Sequence, residues 1–136
     1  MPGGGPLFEF LKVTAVEEVC EGKQSLGVIV KIKVAGDVVI VAGSAQDQVG
    51  AVFEGLRMAL RPRHPAIDEL RLTFWKVQYG GSTARLVLHF IRNGKSGFVR
   101  STEPTLLRAV CAALQEIVEE LYPQEQVPKE TEFVTL

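Results

Sequence analysis

The side chains that could serve as nucleophiles, general bases or metal ligands are few in this sequence, and they are scattered. No serine lies in the strand–turn–helix context of a hydrolase nucleophile, and the histidines are His64, in a loop, and His89, in an alternating strand pattern. Cys20 and Cys111 are too few for a disulfide framework or a four-ligand zinc site, and both lie in apolar stretches. We therefore expect free, buried thiols in a reducing cytoplasm, no catalytic residue, no metal site and no cofactor.

Anion binding is the next chemistry to weigh. Residues 80–83 are glycine-rich, but they lie between two predicted strands, so no helix N-terminus is placed there to receive a phosphate. A basic sheet face with aromatic side chains between its cations is an alternative, because such faces bind single-stranded RNA. The balance of 15 basic against 16 acidic side chains, a net charge of -1, argues against a nucleic-acid partner. The residues of that face would be Lys31, Lys33, Arg71, Lys76 and Arg85, with Trp75 and Tyr79 between them.

The length and composition are those of one globular domain. With 136 residues, 46% of them hydrophobic, the chain can bury roughly two-thirds of the surface of its unfolded form in a single core. No run of residues approaches the ~18 apolar residues of a membrane span, so we expect a cytoplasmic protein without membrane contact. The glycine- and proline-rich residues 1–6 predict a flexible leader, and the polar residues 123–136 predict a mobile tail.

An internal repeat organises the rest of the chain. A shift of 58 residues carries Gly36 onto Gly94 and superimposes the apolar alternation that precedes each of these glycines. Further upstream the shift changes to 64, which carries Lys12 onto Lys76. We therefore expect two pseudo-symmetric repeats in one domain, the first over about residues 7–62 and the second over about residues 68–122.

Each repeat has the pattern strand, strand, strand, helix. Period-two alternation predicts the strands, and Ala-Gly and Asn-Gly pairs predict tight hairpin turns. An apolar stripe at helical spacing follows each third strand; Pro62 ends the first helix, Pro123 ends the second, and Thr102 is expected to cap the second. The fold class is therefore α+β, with two pseudo-symmetric βββα repeats whose antiparallel sheets pack with two helices. The predicted strands are residues 8–16, 28–34 and 38–42 in the first repeat and 70–79, 86–90 and 97–100 in the second.

Several segments, in order along the chain, carry a family resemblance. In the first repeat they are Phe10-Leu11-Lys12-Val13, the turn at Gly36 and residues 43–56; in the second they are Trp75-Lys76-Val77, residues 84–88, Asn93-Gly94 and residues 101–114. Together they resemble the C-terminal regulatory domain of 2-isopropylmalate synthase and citramalate synthase. The resemblance covers residues 7–122.

This resemblance implies a regulatory domain of branched-chain amino-acid biosynthesis. Such a domain forms a homodimer and binds a small amino acid, leucine or isoleucine. The synthase reaction of the family belongs to a TIM-barrel domain for which this chain has no room, so the chain is expected not to be an enzyme. A synthase catalytic domain is then a candidate partner.

The ligand-binding residues that the resemblance implies surround one loop. The family's Gly-Asn-Gly-Pro loop falls on residues 45–48, where both glycines and the proline are replaced and the asparagine position is Gln46. Side chains in place of glycines reshape a site built from backbone amides. Two readings therefore stay open, a retained amino-acid pocket and a diverged dimeric scaffold, with RNA binding as a third. The implied site residues are Gly43, Ala45, Gln46, Asp47, Val49, Gly50, Leu72, Trp75, Ser101 and Thr102.

Overall fold

The computed structural model describes residues 7–20 and 23–121. Two three-stranded antiparallel sheets, each followed by a helix, confirm the predicted α+β class with two βββα repeats. The predicted leader, residues 1–6, and the predicted tail, residues 123–136, lie outside the described residues. The first repeat contains β1 (Phe8–Cys20), β2 (Lys23–Val34), β3 (Asp37–Ala45) and α1 (Gln48–Leu60). After a short 3-10 helix (Pro65–Glu69), the second contains β4 (Leu70–Gly80), β5 (Thr83–Arg92), β6 (Lys95–Glu103) and α2 (Leu106–Leu121).

The hairpin turns that join the second and third strands have the same geometry in both repeats. Ala35 and Gly36 have φ values of 52° and 88°, and Asn93 and Gly94 have φ values of 50° and 79°. Positive φ at both central residues is the type I′ turn, whose twist matches that of the strands on either side. The predicted turns are confirmed, and they set the register of both sheets.

The strand register corrects the alignment of the two repeats. Lys12 pairs with Lys31 in the first sheet and Phe74 pairs with His89 in the second, so Lys12 is equivalent to Phe74. The predicted match of Lys12 with Lys76 is therefore wrong by two residues. A slip of two residues keeps every side chain on its own face of the sheet, so alternation alone could not reject it.

Both helices begin at equivalent capped positions. The Gly50 amide N–H donates to Oδ1 of Asp47 over 2.8 Å, and the Arg108 amide N–H donates to Oγ1 of Thr105 over 3.2 Å. A shift of 58 residues carries Asp47 onto Thr105, as the repeat requires. The predicted cap at Thr102 is wrong, because β6 continues through that residue and α2 begins later.

One hydrophobic core joins the two repeats. Helix α1 packs on β2 and β3, helix α2 packs on β5 and β6, and the two helices contact each other. Leu56 of α1 and Leu114 of α2 occupy equivalent positions and are both fully buried. Each helix therefore positions its own sheet, and the outer face of each sheet is left open.

Candidate functional site

The predicted ligand-binding residues of the first repeat lie together where β3 ends and α1 begins. Asp47 caps α1, and beside it Oε1 of Gln48 is buried without a hydrogen-bond partner. The first amide N–H groups of any α-helix have no partner within the helix, so this place offers donors as well as acceptors. The residues gathered there are Gly43, Ala45, Gln46, Asp47, Val49 and Gly50.

Two residues of that group have packing roles that the structure explains without a ligand. A Cβ atom at Gly43 would lie 2.3 Å from the Ala51 carbonyl oxygen and 2.6 Å from the Gly55 amide nitrogen. Val49 is 1% exposed and belongs to the core. Gly43 is thus required for the close approach of β3 and α1, while Asp47 and Gln48 supply the polar groups of the site.

The predicted residues of the second repeat lie on the second sheet, separate from that group. Leu72 and Trp75 are on the inner face of β4, half-buried and packed against the core, with Trp75 paired to Leu88. Ser101 and Thr102 lie in β6, before the start of α2. They line a groove of about 450 Å³ on the second sheet.

The outer face of the first sheet carries exposed aliphatic side chains among charged ones. Ile40 is 66% exposed, and aliphatic side chains on neighbouring strands are similarly open to solvent. Lys12 and Lys31 are cross-strand partners in the same row as Ile40. We call this surface the first-sheet face; it comprises Glu9, Lys12, Thr14, Val16, Ile29, Lys31, Lys33, Val38, Ile40 and Ala42.

The outer face of the second sheet carries a row of rings. Phe74, His89 and Phe98 are cross-strand partners on β4, β5 and β6, and each phenylalanine ring centroid lies 5.6 Å from that of His89. Both phenylalanines are more than half exposed, at 57% and 53%. We call this surface the second-sheet face; it comprises Arg71, Phe74, Lys76, Arg85, His89, Phe98 and Arg100.

The basic face expected from the sequence is assembled differently in the structure. Lys31 and Lys33 lie on the first sheet and so cannot join the cations of the second. Trp75 lies on the inner face, since its partner Leu88 is fully buried. Sequence reasoning missed Phe74 and Phe98, although period-two alternation outward from Lys76 could have indicated Phe74.

Cys111 lies in a groove between β1 and α2, where it is a free thiol. Burial raises the pKa of the Cys111 thiol to about 12. The thiol is therefore protonated at neutral pH and is a poor nucleophile. Cys20 lies among the residues whose side chains are not described.

The raised pKa of Cys111 predicts a loss of stability in alkali. The unfolded chain releases the thiol proton near its ordinary pKa of 9.0, whereas the folded protein holds it up to about 12, so stability falls as pH rises through this interval. Between about pH 9 and 10 we expect the wild type to lose ~1 kcal/mol more of its unfolding free energy than Cys111→Ala. Urea titrations of both proteins at each pH measure the difference, and parallel pH profiles would contradict it.

Residues 7–20 and 23–121 contain no group of three or more His, Cys, Asp or Glu side chains that could hold a metal ion. No helix in this part of the chain has the length and hydropathy that crossing a bilayer requires. Comparisons of the sequence with protein-family models and with curated proteins found no match. The functional conclusion therefore depends on the start of α1 and on the two open sheet faces.

Proposed function

We propose that this chain is a cytoplasmic, non-catalytic regulatory module that pairs with a second copy of itself through the first-sheet face. The observation that supports pairing most strongly is the exposure of Ile29, Val38 and Ile40 on the two neighbouring strands β2 and β3 of that face. Scattered single aliphatic side chains are normal on a protein surface, but a contiguous set marks an interaction site.

The pairing follows from the hydrophobic effect and from symmetry. Closed dimers bury the same patch on both subunits, so each aliphatic side chain of the face contributes twice to the free energy of association. Among its described residues, the face carries Lys12, Lys31 and Lys33 but one carboxylate, that of Glu9, the cross-strand partner of Lys33. Two copies therefore present a net positive charge to each other, which weakens pairing at low ionic strength. The test is a comparison of the oligomeric state of the wild type with that of a chain carrying a charge on this face: a dimer is expected for the first and a monomer for the second.

The start of α1 supports a second part of the proposal, the binding of leucine or isoleucine as the family resemblance implies. A free amino acid carries a carboxylate and an ammonium group. The carboxylate would accept hydrogen bonds from the electropositive first amides of α1 other than that of Gly50, which already donates to Asp47. The ammonium would donate to the Asp47 carboxylate, which is exposed beside the first turn of α1.

Titration calorimetry with L-leucine and L-isoleucine tests this site. Asp47→Asn is the informative variant, because asparagine caps helices as well as aspartate does while removing the charge that the ammonium needs. We expect saturable binding of one of these amino acids to the wild type and binding about 10-fold weaker or more in Asp47→Asn. The analogue 4-methylpentanoate, which lacks the ammonium, should not bind.

The absence of saturable binding by either amino acid would contradict the amino-acid site and leave a diverged dimeric scaffold. Equal binding by wild type and Asp47→Asn would place the ligand elsewhere. A bound amino acid that favours one arrangement of the two repeats would change the structure of the dimer. A partner such as a synthase catalytic domain would respond to that change.

A further inference from the structure

The row of rings on the second-sheet face has no counterpart in the first repeat. The positions equivalent to Phe74, His89 and Phe98 are Lys12, Lys31 and Ile40 on the first-sheet face. The two repeats have apolar residues at equivalent buried positions and the same turns, but they differ at the centre of their open faces. This divergence indicates that the second-sheet face has a role of its own.

The rings are placed so that flat molecules can lie on them. Phe74 and Phe98 flank His89, with interplanar angles of 55° and 30° between each phenylalanine and the histidine. Strands lie about 4.8 Å apart, so the row crosses the full width of a three-stranded sheet. Exposed rings on adjacent strands are the arrangement on which unpaired bases stack.

Cations lie directly beside the rings. Lys76 and Arg100 occupy the next row of the sheet, and Arg85 occupies the row after it, lining the groove of about 450 Å³. The Arg100 guanidinium lies 5.4 Å from the centroid of the Phe98 ring. Within the described part of the chain, Lys76, Arg85 and Arg100 form no salt bridge, and no carboxylate shares their face.

We propose that the second-sheet face binds single-stranded nucleic acid. Bases stack on Phe74 and Phe98, while Lys76, Arg85 and Arg100 contact the phosphates. The net charge of -1 does not oppose this, because acidic side chains such as Glu116 and Glu120 lie on α2, away from the face. Duplexes are disfavoured, since their bases are already stacked on one another.

Two other occupants fit the face less well. A second copy of the same face would bring Arg71, Lys76, Arg85 and Arg100 against their own equivalents, which is electrostatically unfavourable. An acidic protein would satisfy the cations but would not require the rings. If binding depends on the rings, the partner is therefore a nucleic acid and not simply any polyanion.

Fluorescence anisotropy with labelled single strands of about 12 nucleotides tests the proposal, using RNA and DNA of one mixed sequence and the corresponding duplex. We expect at least one of the two single strands to bind more tightly than the duplex, and we expect its affinity to fall as the salt concentration rises. Phe98→Ala should weaken binding about 10-fold or more, and Lys76→Gln should reduce the salt slope by about 0.7. Met58→Ala is the control: this side chain is 42% exposed on α1, outside the second-sheet face, and its loss should leave binding unchanged.

Three results would overturn the proposal. They are no binding at low salt, binding of Phe98→Ala equal to that of wild type, and equally tight binding of polyglutamate. Phe74→Ala provides a second ring variant, and because both rings are exposed neither substitution removes core packing. Urea unfolding of each variant confirms that a loss of binding is not a loss of fold.

Discussion

Replacing Gly43 with alanine is expected to lower the free energy of unfolding by about 3 kcal/mol. The new Cβ would lie 2.3 Å from the Ala51 carbonyl oxygen and 2.6 Å from the Gly55 amide nitrogen, both of them backbone atoms of α1. Backbone cannot rotate away as a side chain can, so β3 and α1 must separate and their shared core must loosen. Urea unfolding followed by the fluorescence of Trp75, the single tryptophan, measures the loss.

The second repeat supplies the matched control for Gly43→Ala. Ser101 occupies the equivalent position and already carries a Cβ, so Ser101→Ala should change the free energy of unfolding by less than about 0.5 kcal/mol. Equal effects of the two substitutions would contradict the close approach of β3 to α1. A Gly43→Ala protein as stable as the wild type would do the same.

Replacing Ile40 with lysine is expected to weaken self-association at least about 100-fold. Burying an isoleucine side chain stabilises an interface by roughly 1.5–3 kcal/mol, and a symmetric dimer buries two copies. The new lysine also joins Lys12 and Lys31 in one row of the sheet, which adds repulsion between subunits. Analytical ultracentrifugation over a range of concentrations measures the dissociation constant.

Met58→Lys is the control for Ile40→Lys. Met58 is 42% exposed on α1, away from the first-sheet face, so the same charge is added without touching the proposed interface. This variant should associate as the wild type does. If Ile40→Lys also associates normally, the pairing surface lies elsewhere on the molecule.

The fold could be predicted from the sequence because each of its signals is local. Alternation with period two defines strands, Ala35-Gly36 and Asn93-Gly94 define type I′ turns, and Pro62 limits α1. The register of the first strands could not be predicted in this way. A slip of two residues leaves the period-two pattern unchanged, and no residue type marks the bulge that each of these strands carries.

The candidate sites could be predicted only in part. The group around Asp47 is contiguous in sequence, so the resemblance to a family loop located it as a unit. The row of Phe74, His89 and Phe98 depends on the pairing of three strands, and no local pattern brings these residues together. The cap expected at Thr102 is wrong because strand ends and helix caps use the same residue types, and the hydrogen bond at Thr105 is what distinguishes them.

Sedimentation equilibrium of the unmodified chain, at about 50 mM and about 500 mM NaCl, tests pairing through the first-sheet face most directly. We predict a species of twice the 14.9 kDa chain mass that dissociates on dilution. We also predict tighter association at the higher salt, because salt screens the lysines of the two copies while the aliphatic contacts persist. A mass of one chain at every concentration in both salts would contradict the account.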